Sequence, residues 1–195
     1  MGEKSEQKKE LILEKAREIF AQKGFKDVTM KDIVDACEIS RGGLYLYYGS
    51  TAEVFLDVLQ GEMDREEDSI GKNVGKLTMS DILLLFLKEQ KKEILRKKNS
   101  LTIAAYEYYF ENKPQKSKDN LLKTQMDMGI EVLAKILEEG VNREEFYCPD
   151  PKAAARNIMF TMEGMKVSAK TMGISEKTVD EELLYILGGL VIEED

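Results

Sequence analysis

The 195-residue chain is 43% hydrophobic and 34% charged, an ordinary balance for a folded protein that buries a core, and its formal net charge is −8. It has no histidine and only two cysteines, Cys37 and Cys148, with no CxxC pair. That composition excludes Ser-His and Cys-His nucleophile arrangements and argues against a disulfide framework or a thiolate metal site.

The charge is uneven. Residues 1–50 carry nine basic and nine acidic side chains, and the remainder carries 20 against 28. An acidic body argues against indiscriminate coating of nucleic acid, since phosphate neutralisation supplies nearly all non-specific affinity, but leaves room for one binding face. The opening MGEKSEQKKE has no apolar stretch behind its basic residues, and the longest apolar run, Ile82–Leu87, is six residues. Neither a secretory signal nor a membrane span is expected, and the location expected is cytoplasmic.

In chain order, Glu6 to Lys23 reads as a first helix with Ile12, Ala16, Ile19 and Phe20 on one face, and Gly24 as its C-cap. Thr29 reads as an N-cap with Asp32 three residues on, and Met30, Ile33, Val34 and Cys37 carry a short second helix. Ser40 caps a third. Only Cys37-Glu38-Ile39 lies between them, the spacing of a helix-turn-helix. A longer helix starts at Thr51 with Val54, Phe55, Val58 and Leu59 as its stripe.

Further helices are expected at about 80–98, 101–112, 117–140, 152–172 and 177–192. Ser80, Ser100, Asp150 and Ser175 or Glu176 lie near their starts, and Gly140 and Gly173 near two ends. Pro114, Pro149 and Pro151 all fall between apolar segments, and no stretch alternates cleanly with a period of two. The class is all-α, about nine helices, with no internal repeat.

The chemistry concentrates in EISRGGLYLYYGST, Glu38 to Thr51. With Ser40 as N-cap, Arg41, Gly42 and Gly43 form a first turn whose free N–H groups favour an anion, and glycines let backbone approach a surface closely. Leu44 and Tyr48, four apart, anchor such a helix to the core with Ile39. Arg41, Tyr45 and Tyr47 then face outward, the arrangement of a recognition helix in a major groove. The plainer alternative is that the two glycines make a turn and the tyrosines fill the core.

The stretch TMKDIVDACEISRGGLYLYYGSTAEVFLDVL, after a first helix ending QKGF, resembles the DNA-binding head of the tetracycline-repressor (TetR) family of bacterial transcription regulators over roughly residues 8–60. The resemblance implies a head of three helices over residues 1–50 and an effector-binding and dimerisation domain over 51–195. It implies DNA contacts from Thr29, Lys31, Ser40, Arg41, Gly42, Gly43, Tyr45, Tyr47 and Thr51. Three positions depart from the family's pattern: Glu38 where Gly is usual, Leu46 where a second aromatic often stands, and Thr51 where Lys commonly opens the fourth helix.

For the body, Leu183, Ile186, Leu187 and Leu190 form a 3–4 spaced stripe, and Ala155, Gly164 and Ser168 add small residues on the preceding helix. These are the expected homodimer interface, because in the family the last two helices of each protomer form a four-helix bundle. The effector pocket expected between the central helices draws on Tyr106, Tyr109, Phe110, Met126, Ile130, Met159 and Met162 as walls, with Gln90, Glu107 and Glu163 as selecting polar groups.

The expectation is therefore a dimeric regulator, released from a palindromic double-stranded operator by an unknown small-molecule effector, with no cofactor, no metal and no catalysis. The alternative is a helical protein-interaction module that no longer binds DNA. A di-iron carboxylate bundle fails for want of Glu-x-x-His pairs. Cys37 is expected to pack as a small apolar residue, and Cys148, before Pro149, to be exposed.

Overall fold

The computed structural model describes residues 3–70, 77–114 and 120–190, and among these every regular element is helical. In order they are α1 (Glu3–Lys23), α2 (Met30–Cys37), α3 (Arg41–Tyr45), α4 (Thr51–Ile70), α5 (Met79–Leu95), α6 (Thr102–Glu111), α7 (Leu121–Asn142), α8 (Pro151–Thr171) and α9 (Glu176–Gly188). The expected start of the seventh helix at 117 and end of the ninth at 192 lie outside the described residues.

By packing, the chain forms two compact units, Met1–Ile70 with Lys97–Leu122, and Gly71–Arg96 with Lys123–Asp195. By packing, α4 and α6 belong with α1–α3.

The first unit closes on aromatic rings. Phe55 of α4 lies 4.7 Å from Phe20, 5.2 Å from Phe25 and 5.5 Å from Tyr108 of α6, centroid to centroid, and Phe25 meets Tyr108 edge-on at 4.9 Å. Such rings add roughly 0.5–1.5 kcal/mol per pair beyond the area they bury. Polar links fix the same elements. Arg17 donates from Nε and Nη2 to both oxygens of Glu62 at 3.0 and 2.9 Å, joining α1 to α4, and Nη2 also reaches the Asn99 carbonyl at 3.2 Å.

After α1, Gly24 takes φ +81° and its N–H returns to the Phe20 carbonyl at 3.0 Å, the left-handed cap its position suggests. The next two backbone N–H groups, of Phe25 and Lys26, donate to Glu107 Oε2 at 2.6 and 3.2 Å, so a carboxylate of α6 closes the α1–α2 turn.

The second unit packs Leu83, Leu87 and Ile94 of α5 with Leu133 and Leu137 of α7, Met162 of α8 and Val179 of α9. The α5 cap is Thr78 with Asp81 in a capping box, not Ser80. Ser80 instead lends its backbone N–H to the Glu145 carboxylate at 2.8 Å. Gly140 lies in the last turn of α7, near its end as expected, and is buried, with the Phe146 ring occupying the space a Cβ would take.

Cys148 is buried, contrary to expectation, because the Tyr147 N–H donates to the Leu190 carbonyl at 3.2 Å and carries the strand of loop beside it into the core. Burial pushes its thiol up. Cys37 is buried on α2 as a small apolar residue, with its thiol likewise raised by burial.

Candidate nucleic-acid interface

The turn between α2 and α3 is built from local bonds. Thr29 caps α2: its Oγ1 accepts from the Asp32 N–H, and the Asp32 carboxylate accepts from the Thr29 N–H at 2.8 Å and from its hydroxyl. The Lys23 ammonium, 2.6 Å away, and then the Thr29 hydroxyl hold the Asp32 carboxyl far below the usual carboxylate range. The Thr29 hydroxyl proton is therefore already given to Asp32. Lys31, next along, is exposed.

Glu38 ends α2 in the left-handed region, φ 52° and ψ 38°. This is the conformation that favours glycine, so a glutamate there is strained. Ser40 then caps α3, its Oγ accepting the Gly43 N–H at 3.1 Å.

The two glycines differ. Gly43 is buried, and a Cβ there would stand 3.1 Å from Ser40 Oγ and 3.7 Å from Lys8 Nζ. Gly42 is exposed, and a Cβ there would meet nothing within 4 Å. Its own fold gives no reason for a glycine at Gly42.

Leu44 and Tyr48 are both buried and anchor α3 as their spacing suggests. The Tyr48 hydroxyl donates to Asp57 Oδ2 of α4 at 2.9 Å, and Lys9 of α1 pairs with the same oxygen at 2.9 Å. Burial raises the Asp57 carboxyl, but the Lys9 and Tyr48 hydrogen bonds outweigh it, and the net position is below the usual range. Burial, with Asp57 adding to it, drives the Tyr48 phenol well above its ordinary value.

Tyr45 is 48% exposed and Leu46 84%. Tyr47 differs from its expected outward placing: it is half-buried, and its hydroxyl lies 3.2 Å from Ser5 Oγ on α1. Thr51 opens α4 half-buried, behind Ser50, whose Oγ accepts the Glu53 N–H at 3.2 Å. The Glu53 carboxylate in turn accepts the Gly49 N–H at 2.8 Å.

The cations of residues 3–50 sort into two sets. Lys9, Lys15, Arg17, Lys23 and Lys26 are each held by a carboxylate. Lys4, Lys8, Lys31 and Arg41 are exposed and form no ion pair among the described residues.

The ten residues expected to serve an effector divide between the units. Tyr106, Glu107, Tyr109 and Phe110 lie on α6 in the first. Glu107 is committed to the α1–α2 turn, the Tyr109 hydroxyl accepts the Leu121 N–H at 2.8 Å, and Phe110 is 73% exposed. In the second unit, Met159 and Met162 are core residues, with Met126 and Ile130 packed half-buried against that core. Glu163 is half-buried and 3.6 Å from Lys166, and the Gln90 Oε1 is buried without a hydrogen-bond partner. Among the described residues, no group of three or more Cys, Asp or Glu could hold a metal ion, and no helix is long and apolar enough to cross a membrane.

Of the residues expected at a dimer interface, Ala155, Leu183 and Leu190 are buried in the chain's own core, with Ile186 and Leu187 packed against it. Within the single chain this stripe packs inward, with Ile186 and Leu187 half-buried. Ser168 is half-buried and Gly164 exposed, with open space where its Cβ would be. The apolar residues left uncovered on these two helices are Phe160 (60% exposed), Leu184 and Tyr185 (83%), which sequence periodicity did not single out.

Comparison with known proteins gives a consistent result. Residues 12–58 match the family described as "Bacterial regulatory proteins, tetR family", and residues 82–180 match "Tetracyclin repressor-like, C-terminal domain". The HTH-type transcriptional regulator YfiR of Bacillus subtilis (strain 168) is 27% identical over 151 residues, 77% of this chain and 74% of the relative. A second regulator of that organism, YuxN, is 36% identical over 59 residues, 30% of this chain and 20% of the relative. Among solved structures, a TetR transcription regulator from Haloarcula marismortui superposes with a TM-score of 0.82 at 18% identity, covering 95% of this chain and 100% of that one. The reduced form of E. coli NemR gives 0.76 at 15% identity, covering 95% and 98%.

Proposed function

Since the chain belongs to the tetR family of bacterial regulatory proteins, and is thus a DNA-binding transcriptional regulator and not an enzyme, we propose that it acts in the cytoplasm as a homodimeric repressor that an effector releases from a palindromic operator. The observation that carries this reading is the tip of α3. Arg41, Gly42 and Tyr45 stand exposed on a helix pinned from behind by Leu44 and Tyr48.

In this reading α3 enters the major groove. Arg41 reaches base edges, Gly42 leaves the closest approach unobstructed, Leu46 offers an apolar contact of the kind a thymine methyl takes, and Tyr45, Lys31 and Ser40 meet phosphates. Thr29 and Thr51 add contacts at the rim, and Gly43 keeps room between Ser40 and Lys8. Two copies joined through Phe160, Leu184 and Tyr185, with Gly164 permitting close approach of α8, would set two α3 helices about one DNA turn apart, roughly 34–36 Å.

Release follows from what α3 is tied to. Asp57 of α4 holds Tyr48, and Glu107 of α6 holds the α1–α2 turn, so a shift of either helix on effector binding re-aims the reading head. A coupling of about 1–3 kcal/mol would give roughly 5–150-fold release. Gln90, Met126, Ile130, Met159, Met162 and Glu163 are the candidates for the effector's walls in the second unit; Tyr106, Tyr109 and Phe110 are those on α6.

The test is selection from a random-sequence duplex pool by the full-length chain. An enriched inverted repeat with half-site centres about one turn apart is expected. Failure to enrich any sequence at low salt would overturn the reading and favour a protein-interaction module.

A further inference from the structure

Beside α3, the first turns of α1 form an edge that the helix-turn-helix pattern does not include. Ser5 Oγ lies 3.2 Å from the Tyr47 hydroxyl at the far end of α3. One turn later, Lys8 Nζ lies 3.7 Å from the point a Gly43 Cβ would occupy, next to the Ser40 hydroxyl. Lys4 and Lys8, four apart, share a face of α1, whereas Glu6 and Glu10 each sit two positions on from one of them, on nearly the opposite side.

Lys9, one residue on, is spent on Asp57. Lys4 and Lys8 have no such partner among the described residues, although Lys8 stands beside Arg41's own turn. Two exposed cations on one helix face, without a carboxylate partner among the described residues, are open to an external anion.

We propose that Lys8, flanked by Lys4 and Ser5, is a DNA phosphate-binding residue on α1 that extends the interface beside Ser40 and Gly43. The inference rests on the reading of α3 as the recognition helix. It assigns Lys8 to the backbone, so its effect is on affinity and salt dependence and not on which sequence is read.

The experiment titrates full-length wild type, Lys8→Gln, Lys8→Arg and Lys135→Gln, an exposed α7 lysine as charge control, against the selected duplex at salt from about 50 to 300 mM. Each phosphate contact contributes about 0.9 to the slope of log affinity against log salt. Lys8→Gln in both protomers should therefore lower the slope by about 2 and weaken binding roughly tenfold or more at physiological salt, with the enriched sequence unchanged. Lys8→Arg should keep the wild-type slope, and Lys135→Gln should match wild type. Wild-type slope and affinity in Lys8→Gln, with wild type itself binding, would overturn the role of Lys8 and leave α3 as the reading head. Absence of any wild-type binding would overturn both.

Discussion

At Gly42 the demands of fold and function separate. The residue is exposed, and nothing in the chain crowds a Cβ, so alanine there suits the helix better by up to about 1 kcal/mol. If DNA backbone closes on that point, the same methyl obstructs it. Gly42→Ala should unfold at equal or higher denaturant and bind the selected duplex at least tenfold more weakly; unchanged affinity would return Gly42 to the role of a turn residue. Glu38 is the complementary case, a carboxylate in left-handed backbone at the edge of the interface. Glu38→Gly should raise stability by about 0.5–1 kcal/mol and tighten DNA binding a few-fold at low salt, measured by chemical denaturation and by anisotropy. Lys8 illustrates what single positions do not disclose: its place beside Gly43 is made by the packing of α1 on the head, and no spacing within residues 38–51 contains it.

Among the elements, α4 and α6 have more to do with the reading head than their position in the sequence suggests. The Tyr48–Asp57–Lys9 arrangement joins α3, α4 and α1 at one carboxylate oxygen. Tyr48→Phe removes a hydrogen bond to a charged acceptor and should cost about 1–2 kcal/mol in equilibrium unfolding. The Asp57 and Asp32 carboxyls both lie below the ordinary range in the folded state. Their contribution is present above the unfolded value, about 3.9, and is lost as pH falls below it. Thermal stability should accordingly drop as pH falls from about 4 towards 2, and drop less in Asp57→Asn.

Local signals in the sequence located these elements well. The Thr29–Asp32 box, the Ser40, Asp150 and Ser175 caps and the left-handed Gly24 and Gly173 all stand where residue type alone suggests. Thr78 was hidden by Ser80, a chemically equal cap two residues on, and the choice was made by Glu145, far away in sequence, which takes the N–H groups of Met79 and Ser80. Glu107 likewise reads as a free polar residue until α6 packs against the α1–α2 turn.

For the molecule as a whole, helical periodicity declares a face apolar without naming what covers it. α9 has two such faces. One, with Val179 and Leu183, is buried in the chain; the other presents Leu184 and Tyr185 to solvent. Together with Phe160 of α8, the second is the face assigned here to the partner copy. Tyr185→Asp combined with Phe160→Glu should shift sedimentation from dimer to monomer without lowering the stability of the single chain, whereas Leu183→Ala should destabilise the fold by about 2–4 kcal/mol. A double mutant that remains dimeric would move the interface elsewhere.

The central claim is that α3 reads DNA from an anchored helix, and its most direct test is one titration. Full-length Arg41→Ala is compared with wild type on the selected inverted repeat, alongside its thermal midpoint and its sedimentation mass. Mass and midpoint should be unchanged, with affinity lower by about 1–3 kcal/mol for each α3 in the dimer. Wild-type affinity from Arg41→Ala on that duplex would contradict it.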